Sequence, residues 1–169
     1  MYQRIIVIIA LWIFSCPISR AEHVRVFLIA GQSNINGVIG GSDIPAEWNH
    51  VQDDVWIWLG DRMGGGDWTT LEPGHGASTH SPGPHYPTGL DPLDRIGPEL
   101  SVGGILADAF PNERIALIKH AEGGTDVMRD WNPDNLGDPS TFDHMWSGLL
   151  QKTTNAFNNL DNAQHSYEV

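Results

Sequence analysis

The chain has 169 residues, of which 40% are hydrophobic and 18% charged, with 19 glycines and 11 prolines. This composition suits one folded domain and excludes a disordered, collagen-like or coiled-coil chain. Nine lysines and arginines against 21 aspartates and glutamates give a formal net charge of -12, which argues against nucleic acid or an anionic membrane surface as a partner. We expect a neutral partner, such as a sugar or a small ester.

The first 21 residues have the pattern of a secretory signal peptide, with one early positive charge, the apolar run 5–14 and small residues before a cut after Ala21. The run is too short for a membrane span of about 20 residues. We therefore expect a secreted or periplasmic protein without a stable membrane span, whose mature part is 22–169. Lipidation at Cys16, the only cysteine, is the weaker alternative.

The mature part alternates apolar strand patterns with helical ones. A β-branched apolar run predicts a first strand at 24–30, directly before Gly31. Further predicted elements follow in chain order: a strand at 55–59, a long surface loop at 64–97, a helix from Pro98 to Phe110, a strand at 115–119, and a helix from Ser140 or Thr141 to Leu160. Such alternation predicts an α/β fold of three layers around a parallel sheet.

Two segments follow predicted strands at the sheet edge where α/β proteins carry functional groups. Residues 31–37 (GQSNING) place Ser33 at the start of a helical turn, whose free N–H groups can stabilise negative charge. Residues 120–125 (HAEGGT) contain two glycines that let backbone N–H groups approach a substrate. Taken alone, the first segment can also be a plain strand-to-helix connection or a phosphate-cradling loop. It matches neither a P-loop nor the G-x-S-x-G nucleophile elbow.

Three blocks occur together in order: GQSNING at 31–37, GPEL at 97–100 and KHAEGGT at 119–125. With them, the chain from about Val24 onward resembles the sialate O-acetylesterase-like branch of the SGNH hydrolases, which includes the acetylxylan esterases of carbohydrate esterase family six. The resemblance implies a flavodoxin-like sheet. It also implies hydrolysis of acetyl esters on sugars through a serine acyl-enzyme, with no metal and no organic cofactor.

The same resemblance assigns roles to single positions. Ser33 corresponds to the nucleophile, and its N–H, with that of Gly124 or Gly123, corresponds to the oxyanion hole. Other positions would support the turn at 31–37 that carries Ser33, which is called the serine turn. These positions are Gly31, Gln32, Asn34, Gly37 and Glu99. A last group would line or support the substrate site: His120, Thr125 and Trp131.

Members of this branch continue into a Gln-Gly-Glu block that completes the oxyanion hole and an Asp-x-x-His pair that supplies the base. Residues 167–169 resemble the opening of the strand before those blocks. We therefore expect the chain to be the N-terminal part of the domain and, alone, to hydrolyse aryl acetates at or near background. The alternative is a non-catalytic or vestigial carbohydrate-binding module that lacks the base; a transferase using the same serine is a weaker one.

We also make predictions for three further groups of side chains. Trp68, placed in the long loop, is a second candidate for stacking on a sugar ring. The aspartates of the loop around Trp131 are expected to form a solvated acidic surface: Asp126, Asp130 and Asp134. The loop histidines are expected to be solvated rather than to act as a base or bind zinc: His75, His80 and His85.

Overall fold

The structure of the chain, a computed structural model, describes residues 22–37, 44–60, 66–75, 96–138 and 144–169. The predicted signal peptide and the helix caps Ser140 and Thr141 lie outside these residues. The described elements follow one another as β1 (His23–Gly31), α1 (Ser33–Asn36), β2 (Gln52–Gly60), β3 (Gly66–Leu71), α2 (Glu99–Ala109), β4 (Arg114–Ala121), α3 (Met145–Asn162) and β5 (Ser166–Glu168).

The strands form one sheet in the order β3-β2-β4-β1-β5. β1 lies parallel to β4 in continuous register, from Val24 opposite Arg114 to Gly31 opposite Ala121. β4 is also parallel to β2, and β5 is parallel to β1, whereas β3 pairs with β2 in the antiparallel sense. The predicted α/β fold is confirmed, with an antiparallel strand at one edge. Because β1 and β4 end in register, the loops that carry the first and third sequence blocks meet.

Among the described elements, α2 packs on one face of the sheet and α3 on the other, which gives the three predicted layers. α3 contributes Ala156 and Leu160 to a core formed with Val24, Val26 and Ile118. On the opposite face, α2 packs against β2 and β4, and its adjacent glycines allow a close approach. A Cβ atom on Gly103 would lie 2.6 Å from Leu71 Cδ2, and one on Gly104 would lie 2.3 Å from Trp48 Cζ3.

The prediction of an irregular loop over the whole of 64–97 is wrong, because β3 forms within it. Trp68 lies opposite Trp58 in the β2–β3 pair, and the two rings meet edge to face at 5.4 Å. Trp68 Nε1 donates a hydrogen bond of 3.3 Å to the carbonyl of Ala156 in α3. Trp68 therefore contributes to the core on the α3 face, because cross-strand pairing outweighs the glycine and proline signal around it.

β5 forms where the sequence predicts the opening of a strand, at residues 167–169. β5 pairs with the beginning of β1, with Ser166 opposite His23 and Glu168 opposite Arg25. The stacked rings of Phe157 and Tyr167, 4.9 Å apart, join this strand to α3. No helix within the described ranges has the length and apolar character needed to cross a membrane.

Candidate functional site

Ser33 is the first residue of α1 and is separated from the end of β1 by Gln32 alone. The turn is closed by the Gln32 carbonyl, which accepts hydrogen bonds from the N–H groups of Ile35 and Asn36 at 2.9 Å each. Ser33 is exposed, and among the described residues its N–H and hydroxyl make no hydrogen bond. The local geometry is the one the sequence predicts, with a hydroxyl at the start of a helical turn and a free N–H group beside it.

Glycines stand at both ends of this turn for steric reasons. A Cβ atom on Gly31 would lie 2.6 Å from Ile35 Cγ1. Gly37 has φ +79°, and a Cβ there would lie 2.2 Å from the carbonyl oxygen of Ile96. A side chain at either position would therefore displace the turn, and at Gly37 it would also be strained by the positive φ.

A buried ion pair between α2 and β4 holds the serine turn in place. Glu99, which is fully buried, lies 2.5 Å from the ammonium group of Lys119, and Lys119 Nζ also donates a 3.0 Å hydrogen bond to the carbonyl of Asn36. The second carboxylate oxygen of Glu99 accepts the N–H of Gly97 at 2.8 Å. Lys119 thus connects β4, α2 and the end of α1. This geometry is consistent with the supporting role that the resemblance implies for Glu99.

Lys119 was not among the residues predicted from the sequence. Burial lowers its pKa, and the neighbouring Glu99 carboxylate opposes that change. Its own carbonyl accepts a 2.8 Å hydrogen bond from Lys152 Nζ of α3, so the same residue is held from both faces of the sheet. The signal was present, because a lysine ends the otherwise apolar run IALIK and a buried lysine requires an acidic partner.

The second glycine-rich loop lies directly beside Ser33. The N–H of Glu122 donates a 3.2 Å hydrogen bond to the carbonyl of Gly31, which joins the ends of β4 and β1. A Cβ atom on Gly123 would lie 3.8 Å from Ser33 Cβ, whereas one on Gly124 would have no neighbour within 4 Å. Gly124 has φ +78°. The structure therefore brings Gly123 next to Ser33 and leaves Gly124 in an open, left-handed turn.

The three residues predicted to line or support the substrate site occupy different environments. Thr125 Oγ1 accepts a hydrogen bond of 3.1 Å from Trp131 Nε1 and donates one of 2.9 Å to the Glu122 carbonyl. Trp131 also meets the ring of His120 edge to face at 5.8 Å. His120 is buried, with 2% of its surface exposed. Thr125 and Trp131 are therefore held rigidly near the serine turn, and His120 lies behind them.

The expectation of a wholly solvated acidic loop is wrong for Asp130, which is buried. Its carboxylate accepts hydrogen bonds from Arg129 Nε at 2.6 Å and from the N–H of Asp126 at 2.7 Å. The Arg129 hydrogen bond, with the Asp126 N–H, lowers the pKa of Asp130. The Asp130 carbonyl accepts the N–H of Met145 at 2.7 Å. Asp130 therefore closes the loop onto the start of α3, a contact between segments that sequence periodicity does not reveal.

Two cavities flank the serine turn. The first, of about 720 Å³, lies on the α2 face and is called the α2 cleft; its described lining residues are Ser33, Asn34, Gly37, Pro45, Trp48, Ile96, Gly97, Pro98, Leu100 and Ser101. The second, of about 590 Å³, is called the Trp131 cavity, and it is lined by Ala30, Gly31, Gln32, Thr125, Asp126, Val127, Trp131 and Trp146. Asn34 faces the first cavity and Gln32 the second, so the serine turn forms the wall between them.

No histidine hydrogen-bonds to the Ser33 hydroxyl in the part of the chain that the structure describes. His75 is half-buried; its Nδ1 lies 2.7 Å from the Thr70 carbonyl and its Nε2 lies 2.9 Å from Glu72. His80 and His85 lie outside the described residues. Within the described residues, therefore, no imidazole group is in hydrogen-bond contact with the Ser33 hydroxyl.

Comparisons with known proteins identify the family of the chain and a structure of similar fold. The model of one family, described as carbohydrate esterase, sialic acid-specific acetylesterase, matches residues 23–164. No curated protein matches the chain. A crystal structure of an Arabidopsis thaliana protein superposes with a TM-score of 0.51 at 15% identity, covering 78% of this chain and 50% of that one. That likeness concerns the fold alone, and this chain spans half the length of that protein. Because the family match covers most of the chain, the protein belongs to the sialic acid-specific acetylesterase family of carbohydrate esterases.

Proposed function

We propose that this protein is built to hydrolyse acetyl esters on sugars through an acyl-enzyme on Ser33. The observation that carries the proposal is the exposed Ser33 at the start of α1, with an unused N–H group, next to Gly123 of the second loop. In an esterase family, such an arrangement presents a hydroxyl and oxyanion donors to the same carbonyl group. Gly124 is the further donor that the resemblance implies.

The proposed reaction has two steps. Ser33 Oγ attacks the acetyl carbonyl carbon, its proton passes to a base, and the sugar oxygen leaves as an alcohol after taking up a proton. Water then attacks the acetyl-serine, which releases acetate and restores the hydroxyl group. Each hydrogen bond to the developing oxyanion contributes about 3 to 4 kcal/mol to the transition state. No cofactor enters either step.

We infer that the sugar part lies in the Trp131 cavity. Trp131 and Trp146 supply apolar walls, whereas Gln32, Thr125 and Asp126 supply polar groups. This mixture matches a sugar ring, which presents C–H groups to aromatic surfaces and hydroxyl groups to polar ones. The hydrogen bond from Trp131 Nε1 to Thr125 keeps the indole in place before a ligand arrives.

The test is hydrolysis of an aryl acetate and of an O-acetylated methyl glycoside, with and without added imidazole. Because no histidine hydrogen-bonds to Ser33 within the described ranges, we expect the chain alone to remain near background. Imidazole can act as an external base, so it should increase the hydrolysis rate of the chain but not of the Ser33→Ala variant beyond the solution reaction. An imidazole effect that is equal in the two proteins would overturn the catalytic assignment. Sugar binding without Ser33-dependent hydrolysis would support the alternative, a carbohydrate-binding module of the same fold.

Export is a separate proposal, and it depends on residues 1–21 alone. The charged start, the apolar run and the small residues before Ala21 favour cleavage by a signal peptidase. Expression with the complete leader should place the protein outside the cytoplasm with Glu22 as its first residue, which N-terminal sequencing checks. Retention of Met1 in the mature protein would contradict the proposal, and a lipid on Cys16 would identify the protein as an anchored one.

A further inference from the structure

We propose that the α2 cleft binds the acyl part of the ester and accepts straight chains longer than acetyl. The inference rests on the proposed function, because it takes Ser33 as the position of the ester carbonyl. Ser33 lines this cleft, whose volume is about 720 Å³. A single water molecule takes up about 30 Å³ in the liquid, and the methyl of an acetyl group is of similar size. An acetyl group would therefore leave most of the cleft empty.

The chemistry of the walls favours an alkyl chain over a sugar. Beyond the serine turn, the walls are formed by Pro45, Trp48, Ile96, Pro98 and Leu100. The hydroxyl of Ser101, a polar group on the α2 side, already donates a 3.1 Å hydrogen bond to the Pro98 carbonyl. A sugar placed here would bury hydroxyl groups with few partners, which is unfavourable. An alkyl chain has no such requirement and gains from every apolar contact.

The walls are also fixed in position. Trp48 packs so closely on α2 that a Cβ on Gly104 would lie 2.3 Å from its ring. The N–H of Trp48 donates a 2.9 Å hydrogen bond to the Pro45 carbonyl, which closes the turn that carries both residues. On the opposite side, the N–H of Gly97 donates a hydrogen bond to the Glu99 carboxylate, which in turn pairs with the buried Lys119. A preformed apolar cleft binds a chain without first ordering its own walls.

The two cavities thus divide an ester between them at Ser33. The acyl chain lies on the α2 face beside Asn34, and the alcohol part lies on the side of Gln32 and Trp131. Each buried methylene contributes about 0.8 kcal/mol, which corresponds to about a fourfold gain in affinity. In a cleft that is open to solvent, burial is partial. We therefore expect a gain of roughly two- to fourfold per methylene.

The experiment measures binding of neutral primary amides, from acetamide through butanamide to hexanamide, to the full chain by NMR. Amides mimic the ester carbonyl, are not hydrolysed, and need no catalytic base. We expect the dissociation constant to fall about two- to fourfold with each added methylene, with intermolecular NOEs from the alkyl chain to Trp48 and Leu100. A constant that does not change with chain length would overturn the proposal, as would NOEs to Trp131 and Val127 instead.

A matched pair of variants adds a second test. Ser101→Phe places a ring in the cleft and should remove the dependence on chain length. Ile105→Phe places the same ring on the exposed side of α2, where Ile105 is 59% exposed, and should retain it. Retention of the dependence in Ser101→Phe would count against the cleft. Because the NOEs are measured on the unmodified chain, a folding defect in Ser101→Phe leaves the first test valid. Chain-length dependence together with an imidazole-stimulated hydrolysis that Ser33→Ala does not reduce would support the cleft and refute the esterase assignment.

Discussion

The two sides of the serine turn are held by different forces. On the α2 side, the buried Glu99 and Lys119 form an ion pair that reaches the Asn36 carbonyl. On the Trp131 side, the walls depend on hydrogen bonds between Trp131, Thr125 and the Glu122 carbonyl. Loss of one buried charge is far more costly than loss of one neutral hydrogen bond. The comparison indicates that the α2 side sets the stability of the site, whereas the Trp131 side can vary with the ligand.

The largest expected effect therefore lies on the α2 side. Glu99→Ala leaves the Lys119 ammonium buried without its carboxylate, and we expect a loss of about 3–5 kcal/mol in the free energy of unfolding. Urea denaturation measures this loss. The double variant Glu99→Ala with Lys119→Met removes both charges and should be more stable than Glu99→Ala alone. If Glu99→Ala cost less than about 1 kcal/mol, the typical net value of one hydrogen bond, the ion pair would not be the main support of the turn.

A smaller effect is expected where the second loop turns at Gly124. Its φ of +78° lies in the left-handed region, so Gly124→Ala should cost about 1–2 kcal/mol, although the added methyl group meets no neighbour within 4 Å. Thermal unfolding measures this cost. Gly123→Ala is the control in the same loop, because its methyl would make ordinary contact with Ser33 Cβ at 3.8 Å. A larger loss in Gly123→Ala than in Gly124→Ala would mean that steric contact, not backbone strain, limits this loop.

Substitutions of Trp131 should change the affinity of the Trp131 cavity for its ligand. Trp131→Ala removes the aromatic wall, and we expect a three- to tenfold weaker affinity for an O-acetylated methyl glycoside, which corresponds to roughly 0.5–1.5 kcal/mol. Trp131→Phe retains a ring but lacks the N–H that donates to Thr125, so it should lose less. Isothermal titration or NMR gives the dissociation constants. Equal affinity in all three proteins would show that the sugar does not bind in this cavity.

Much of the framework was predictable because local patterns and tertiary structure agree. The run at 24–30 is apolar and lies between two helical layers. In GQSNING, the chain turns at Gly31 and Gly37, where a side chain would clash with neighbouring atoms. The sequence therefore predicted where β1 ends and where Ser33 lies. The same applies to α2, because the predicted helix from Pro98 to Phe110 agrees with the observed one at Glu99–Ala109.

The features that escaped prediction depend on contacts between distant segments. Trp68 belongs to β3 because it pairs with Trp58, although glycines and prolines surround β3 in the sequence. Lys119 meets a carboxylate 20 residues earlier in the chain. The two cavities form where 31–37 meets other parts of the fold, so no single motif encodes them. Residue type indicates that a buried lysine needs a partner, but only the fold identifies which one.

The smallest effect concerns pH and the loop that closes the Trp131 cavity. The Arg129 hydrogen bond and the Asp126 N–H lower the pKa of Asp130 in the folded protein, whereas an unfolded aspartate titrates near 3.9. The carboxylate therefore contributes its full stabilisation above about pH 3.9 and loses it as the pH falls through the lowered pKa. Because Arg129 is solvent-exposed, we expect roughly 0.2–1 kcal/mol. Urea denaturation at pH 5 and pH 3 should show a larger loss for the unmodified chain than for Asp130→Asn, since other acidic groups titrate equally in both. An equal loss would mean that the loop is held by its backbone hydrogen bonds alone.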